Sequence, residues 1–178
     1  MSAAAGWDGI LDDGETILWQ GRPEGGFHLT AGRIFEALFG LAFAGFALVW
    51  MVLASNGPGG FWAFGLIHFS VGIGVTLHAL VWPGFRRRHT WYTLTDRRAF
   101  IATDLPIKGR SLKSFPITPD TVLQLEDGAP GTIWFAHEYR RTKKGSRRVD
   151  IGFERIDAAR EVLRLMTGIQ RGTHAGTK

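Results

Sequence analysis

The sequence predicts an α+β membrane protein in which two transmembrane helices form a hairpin and a cytoplasmic antiparallel β domain with a C-terminal α-helix follows. The first observation is that no Asp, Glu, Lys or Arg occurs from Ala37 to Phe85, a stretch of 49 residues. Loops of a soluble core must reach water and rarely allow so long an uncharged stretch. The second observation is a change after Arg88 to short β-branched and aromatic segments separated by turn signals.

The charge distribution, the third observation, divides the chain into parts. Residues 1–36 carry a net charge of −4, whereas residues 86–178 carry +9. We predict four parts, which are a cytoplasmic N-terminal segment 1–33 with a short strand near 16–20, a transmembrane hairpin 34–81, a β domain 86–172 and a flexible tail 173–178.

The two predicted transmembrane helices are Ile34 to Ala54 and Phe61 to Val81. Each has 21 residues and would extend ~31 Å, about the thickness of the hydrocarbon layer. Residues 55–60 read Ser-Asn-Gly-Pro-Gly-Gly, a composition typical of a turn. The alternative is a pair of buried core helices in a soluble protein. Tryptophans near both ends of the hairpin fit the two membrane interfaces, namely Trp50, Trp62, Trp82 and Trp91.

The positions of the arginines predict the orientation of the hairpin. Arg33 precedes the first helix and Arg86, Arg87 and Arg88 follow the second, whereas the turn contains no basic residue. The positive-inside rule therefore predicts a multi-pass protein of the bacterial inner membrane with both termini in the cytoplasm. The first 30 residues lack the basic start and apolar run of a secretory signal. The chain has no cysteine, which excludes disulfides, thiolate chemistry and cysteine-ligated metals.

Small residues spaced four apart occur in both helices, as Gly40 with Ala44 and Ser70 with Gly74. This spacing lets two helix backbones approach closely. We predict that these residues pack the hairpin on itself. The alternative is a contact face for another membrane protein or for a second copy of the chain.

Two histidines, His68 and His78, lie inside the second predicted helix, where ionisable residues are candidates for function. Ten residues correspond to ~15 Å along a helix, so the pair cannot share one haem or metal ion within a single chain. We predict neutral histidines that hydrogen-bond to Ser70, Thr76 or a backbone carbonyl, with a redox or proton-transfer role as the alternative. No cofactor and no metal site is predicted.

The region after Arg88 predicts an antiparallel meander because its connections are short. A helix over 157–170 is predicted, with Asp157 as its cap, Gly172 as its stop, and one apolar stripe. Strands followed by one amphipathic helix indicate a curled sheet or open barrel plugged by that helix. The strand near 16–20 could dock on the same domain. The predicted strands are 89–95, 98–103, 110–117, 121–126, 131–139 and 148–156.

A resemblance rests on two short motifs. The run Trp91 to Ile101, which includes Tyr92 and Thr95-Asp96-Arg97-Arg98, resembles the first hairpin of bacterial pleckstrin-homology-like domains in small membrane proteins of the YdbS/YdbT type. Gly14-Glu15 to Trp19, followed by Gly21-Arg22-Pro23, resembles the segment before the helical hairpin of those proteins. The resemblance implies a pleckstrin-homology-like barrel and no known ligand.

Basic residues cluster in a predicted hairpin tip and after the second helix. Such clusters near a membrane are attracted to anionic head groups by about 1 kcal/mol per basic residue. Contact with anionic lipid is one interpretation; a solvated loop that only enforces topology and a surface for an acidic protein are the others. The basic patch consists of Arg86, Arg87, Arg88, Arg140, Arg141, Lys143, Lys144, Arg147 and Arg148.

No motif for catalysis is present, since the chain lacks a phosphate-binding Gly-rich loop, His-Glu-x-x-His and Gly-x-Ser-x-Gly. The leading hypothesis is a non-enzymatic, membrane-anchored binding or scaffolding protein that contacts anionic lipid or a protein partner. One alternative is an accessory subunit of a larger respiratory, photosynthetic or transport complex, and another is an enzyme of unknown type. Nucleic-acid binding is not expected because no recognition motif accompanies the basic charge.

Overall fold

The chain has an α+β fold with two long apolar helices, two antiparallel sheets and a C-terminal helix. The computed structural model describes residues 6–26, 29–106, 108–142 and 145–172. Two compact units are present, one formed by residues 25–86 and the other by residues 1–24 together with 87–178. The predicted tail at 173–178 lies outside the described residues.

The helical unit contains α1 (Ala31–Ala54), a 3₁₀ helix (Pro58–Phe64) and most of α2 (Gly65–Arg88). Both long helices have the length and composition needed to cross a membrane. The α-helical part of the second predicted segment begins at Gly65 rather than at residue 61, because the 3₁₀ helix, in which Gly59 and Gly60 take positive φ, extends to Phe64. The helix α2 continues past the predicted membrane boundary at residue 81, through Pro83 to Arg88.

The two helices pack closely at glycine. A Cβ at Gly72 would lie 2.7 Å from the Ala44 nitrogen and 2.7 Å from the Gly40 oxygen, so only hydrogen fits there. Ala44 is 2% exposed. The prediction that Gly40 and Ala44 pack the hairpin on itself is confirmed. Ser70 is exposed, and a Cβ at Gly74 would meet nothing within 4 Å, so this second pair does not serve that packing.

The β unit contains a four-stranded sheet in the order β1-β2-β3-β4 and a three-stranded sheet in the order β5-β6-β7. All neighbouring strands are antiparallel. Among the described residues the two sheets do not close into a barrel, which corrects the barrel that the resemblance implies. The strands are β1 (Ile17–Gly21), β2 (Thr90–Thr95), β3 (Arg98–Leu105), β4 (Gly109–Pro116), β5 (Gln124–Glu126), β6 (Gly131–Thr142) and β7 (Gly145–Ile156).

The first strand confirms that the N-terminal segment docks on the β domain, since Gly21 pairs with Tyr92 on β2. The predicted strand at 121–126 is too long. A turn occupies its start, where the Thr118 amide donates to the Thr121 hydroxyl at 2.9 Å and the Thr121 amide to the Thr118 carbonyl at 3.0 Å. The strands β6 and β7 are both longer than predicted, since β6 ends later in the sequence and β7 begins earlier.

The core of the β unit lies between the sheets and α3 (Ala159–Gln170). Phe153 is fully buried, and its ring lies 4.7 Å from Tyr92 and 5.1 Å from Phe135, measured between ring centroids. Aromatic pairs at such distances add to the stabilisation from apolar burial. The predicted apolar stripe of the helix is confirmed, with Ala159, Val162 and Met166 buried and Leu163 and Ile169 packed against the core.

The predicted cap of this helix is wrong. The helix begins at Ala159, its N-cap residue is Ala158, and no side chain caps it. Asp157 is exposed and lies one residue too early for the role. At the other end Gly172 has a φ of 68° and donates its amide to the Ile169 carbonyl at 3.0 Å, which confirms it as the stop.

Candidate functional site

The basic end of the β6–β7 hairpin brings four of the predicted site residues together. Arg140 lies directly opposite Arg147, and Tyr139 lies opposite Arg148. Side chains directly opposite in an antiparallel pair share a face, and alternate residues point to opposite faces. Arg140 and Arg147 therefore share one face of the ribbon, while Arg141 and Arg148 share the other. All four are exposed. We call these four residues the hairpin arginines.

The hairpin arginines lie on regular strands, which corrects the prediction that residues 140–147 form a loop. The strands reach Thr142 and Gly145, and the Thr142 hydroxyl donates to the Gly145 carbonyl at 2.9 Å. The arginines are thus presented from a hydrogen-bonded ladder. Lys143 and Lys144, which complete the predicted cluster, lie outside the described residues.

Acidic side chains neutralise only part of this charge. The Arg148 guanidinium lies 2.7 Å from Asp150. Lys113 on β4 lies 2.6 Å from Glu138, and this ammonium holds the pKa of the Glu138 carboxyl below its ordinary value. Among the described residues, neither Arg141 nor Arg147 has an acidic partner within ion-pair distance. Like charges directly opposite each other, as Arg140 and Arg147 are, destabilise a sheet. A bound anion would relieve this repulsion, which makes this end of the hairpin a candidate for binding anions.

The remaining arginines of the basic patch are at the end of α2. Arg86 closes the helical unit, and Arg87 and Arg88 belong to the β unit. Arg86 and Arg88 are exposed, whereas Arg87 is half-buried. They follow the longest apolar stretch of the chain directly, as the sequence predicts.

The motif residues Thr95 and Arg98 form a network around one buried carboxylate. The Glu15 side chain is fully buried, and its oxygen lies 2.7 Å from the Arg98 guanidinium. The Thr95 hydroxyl donates to Glu15 at 2.6 Å. The hydrogen bonds from Arg98, opposed by burial and aided by the Thr95 hydroxyl, lower the pKa of Glu15 from 4.5 to about 2. Asp12 lies 3.0 Å from the same guanidinium on its exposed side.

The other motif residues tie the same two segments together. The Thr16 amide donates to the Asp96 carboxylate at 3.1 Å, and the Asp96 amide donates to the Thr16 carbonyl at 3.0 Å. Arg97 donates to the Asp13 carbonyl at 3.3 Å. Tyr92 stands apart, since its hydroxyl accepts a hydrogen bond from the Glu154 amide at 3.2 Å. The two motifs therefore meet in the folded chain, and the hydrogen bonds between them explain a structural role for these residues.

The two histidines have different partners. His68 Nδ1 donates to the Phe64 carbonyl at 3.3 Å, which confirms a backbone carbonyl as its partner. His78 Nδ1 lies 3.2 Å from the Glu36 carboxylate on α1, and Glu36 was not among the predicted partners. Glu36 also lies 3.0 Å from Arg33. The sequence signal for this partnership was the position of Glu36, which is the last charged residue before the uncharged stretch. In the part of the chain that the structure describes, no three metal-ligating side chains come together.

The sequence reasoning missed a cavity of about 820 Å³ on the face of the four-stranded sheet that points away from the core. Alternation along the strands explains it. Tyr92 and Leu94 enter the core, so Trp91 and Thr93 point outward. The sequence signal for this outer face was the alternation of β2, in which Trp91, Thr93 and Thr95 share one face; the sequence did not show what covers that face.

Comparisons of the chain with protein-family models, with curated proteins and with solved structures find no match.

Proposed function

We propose that this chain is a non-enzymatic, membrane-anchored binding or scaffolding protein. In this proposal α1 and α2 cross the bacterial inner membrane, both termini are cytoplasmic, and the β unit is a pleckstrin-homology-like domain whose hairpin arginines contact anionic lipid. The antiparallel strands followed by one packed helix support the pleckstrin-homology-like assignment, as does the meeting of the two motifs that carry the resemblance.

The observation that carries the proposal is the exposure of large apolar side chains along both long helices. Phe35 is 72% exposed and Phe46 is 70% exposed. A soluble monomer rarely exposes an apolar patch beyond a few hundred Å², and a bilayer removes this area from water. Each 24-residue helix extends ~36 Å, enough to cross the hydrocarbon layer. Further exposed apolar residues include Leu38, Phe39, Val49 and Leu53 on α1 and Ile67, Val71, Leu77 and Val81 on α2.

The topology can be tested because the natural chain contains no cysteine. Two single-cysteine variants, Asn56→Cys in the turn and Ser146→Cys in the hairpin, are treated in cells with a membrane-impermeant maleimide. We expect labelling of the turn after only the outer membrane is opened, and labelling of the hairpin after the inner membrane is also permeabilised. Labelling of Ser146→Cys from the periplasm, or purification of a monodisperse protein without detergent, would overturn the proposal.

Contact with lipid is tested on the same Ser146→Cys variant, with a fluorophore on the cysteine and an acceptor dye in nanodisc lipids. Energy transfer should rise when phosphatidylglycerol replaces part of a phosphatidylcholine bilayer, and salt should reduce it. Replacing the hairpin arginines with Ser should remove the rise. The matched control replaces four arginines elsewhere in the β unit and should keep it; these are Arg110, Arg160, Arg164 and Arg171. Equal transfer in both bilayers at low salt would refute lipid contact.

A second candidate function is an accessory subunit of a larger membrane complex. The observation that favours it is the outward position of Gly74, where a Cβ would meet nothing within 4 Å, beside the exposed Ser70. Small residues on an open helix face allow close approach of another helix. Gentle extraction followed by native mass spectrometry distinguishes the candidates. A lone chain would count against the subunit, and a self-associated species would favour a homo-oligomer.

A further inference from the structure

The cavity on the outer face of the four-stranded sheet has an apolar floor built from one cross-strand row. Trp91 lies opposite Ala102, and Ala102 lies opposite Leu112. Ala102 is the smallest of the three, so the floor dips between an indole ring and a leucine. Cavities of roughly 300–1,000 Å³ with mainly apolar walls are typical of small-molecule sites, and this cavity has about 820 Å³.

The N-terminal segment supplies one wall. The Trp7 ring meets Phe100 edge-on at 5.1 Å between centroids, and Phe100 is only 2% exposed although it points away from the core. Arg98 donates to the Ile10 carbonyl at 3.3 Å and thereby ties this segment to the sheet. The wall therefore depends on the same arginine that binds Glu15.

The polar groups at the rim define the charge of a ligand. The Arg22 guanidinium lies 4.9 Å above the Trp91 ring, and no acidic partner of Arg22 is found among the described residues. Stacking on an indole holds a guanidinium in place while its edge remains available for hydrogen bonds. At the other side Arg110 lies 3.3 Å from Asp104, so these charges cancel. The lining thus has a net charge of about +1, which one anionic group would neutralise.

We propose that this cavity binds a monoanionic amphiphile whose acid group pairs with Arg22 and whose apolar body lies over Ala102 between Trp91 and Leu112. A neutral molecule would leave Arg22 without a partner, and a second negative charge would meet Asp104. The site lies wholly within the β unit and goes beyond the proposed function. If this binding proposal fails, the proposed membrane-anchored function is unaffected.

The test uses the full chain in phosphatidylcholine nanodiscs and 8-bromooctanoate, whose bromine quenches tryptophan fluorescence on contact. We expect saturable quenching, and the neutral 8-bromooctanamide should bind about tenfold more weakly, as expected for loss of a charged hydrogen bond. The variant Arg22→Gln should raise the dissociation constant of the acid about tenfold. Arg110→Gln, a matched control on the same rim, should change it less than about threefold because Asp104 already neutralises Arg110.

Partition of the probe into the bilayer is separated from site binding by Ala102→Leu. This variant fills the floor and retains all seven tryptophans, so the quenching that it loses reports occupancy of the cavity. Oleate incorporated in the nanodisc distinguishes the source of the ligand: competition with 8-bromooctanoate indicates delivery from the bilayer, and no competition indicates binding from water. Equal dissociation constants for the natural chain and Arg22→Gln, or equal quenching in Ala102→Leu, would overturn the proposal.

Discussion

The carboxylate of Glu15 lies 2.7 Å from the guanidinium of Arg98, although 83 residues separate them in the chain and both long helices lie between them. The Glu15 side chain is fully buried, whereas the Arg98 side chain keeps one exposed side. Loss of either partner is destabilising: Glu15 alone would be a buried carboxylate without its guanidinium, and Arg98 alone would lose its charged hydrogen bonds to Glu15. The contact therefore joins the two parts of the β unit that precede and follow the helical unit in the sequence.

The first prediction concerns loss of this carboxylate. We expect Glu15→Gln to reduce the free energy of unfolding of the β unit by about 2 kcal/mol, because the Arg98 guanidinium loses the charged hydrogen bonds that Glu15 accepts and keeps only the exposed Asp12 as an acidic partner. The measurement is urea unfolding in detergent micelles followed by tryptophan fluorescence. Glu24→Gln is the matched control, because the Glu24 side chain is 44% exposed beside Arg155, and it should cost less than about 1 kcal/mol. Equal costs would contradict the prediction.

The second prediction concerns pH. The pKa of Glu15 is about 2 in the folded chain against an ordinary value of 4.5, chiefly because Arg98 donates to it. A carboxyl with a lowered folded pKa stabilises the fold above its unfolded pKa, and the stabilisation is lost as pH falls from about 4.5 towards 2. We therefore expect the stability difference between the natural chain and Glu15→Gln to shrink between pH 6 and pH 3. A constant difference would show that the charge of Glu15 is not its cause.

The third prediction follows from the interrupted β unit. Gly21 pairs with Tyr92 and Arg22 stacks on Trp91, so the chain leaves and re-enters the domain at neighbouring positions. We expect residues 1–24 joined to residues 87–178 by a flexible linker of about ten residues, which reaches up to ~33 Å, to fold without detergent. Size-exclusion chromatography and circular dichroism measure this outcome.

The control for the third prediction is the fragment of residues 87–178 alone. It lacks β1 and leaves Arg98 without the Glu15 carboxylate. We expect it to aggregate or to unfold at a lower denaturant concentration than the joined protein. If both proteins were equally stable, the N-terminal segment would contribute nothing to the domain.

The fourth prediction compares two glycines of α2. Gly72→Ala places a Cβ against the backbone of α1, where overpacking costs about 1–3 kcal/mol. Gly74→Ala is the matched control, since its Cβ meets nothing within 4 Å. Thermal unfolding of the helices in detergent, followed by circular dichroism at 222 nm (roughly the helix minimum), should show a lower midpoint for Gly72→Ala alone. A lower midpoint for Gly74→Ala would instead indicate a contact on the outer face.

Much of the fold was predictable because its signals are local. The hydrophobic stretch identified both long helices, and the apolar stripe with Val162 and Met166 identified α3. The predictions were wrong where contacts with other parts of the chain decide the local structure. A side-chain cap requires geometry that Asp157 does not have, and β6 and β7 extend past the predicted turn because the two strands supply hydrogen bonds to each other.

The candidate sites also combine features with a local sequence signal and features that depend on distant contacts. The hairpin arginines were visible as a dense cluster, but their distribution on two faces depends on the register that sets Arg140 opposite Arg147. The partnership of His78 with Glu36 joins residues 42 positions apart and has no local signal.

Residue order alone determined the two apolar helices, the basic character of the following domain and the short turns between its strands, because hydrophobicity and turn propensity act over a few residues. Only the tertiary structure decided that Glu15 neutralises Arg98, that Gly72 rather than Gly74 faces α1, and that a cavity lies over Ala102. Each of these depends on which distant segments meet, and pairing and packing over long separations select those meetings through the combined free energy of the whole fold.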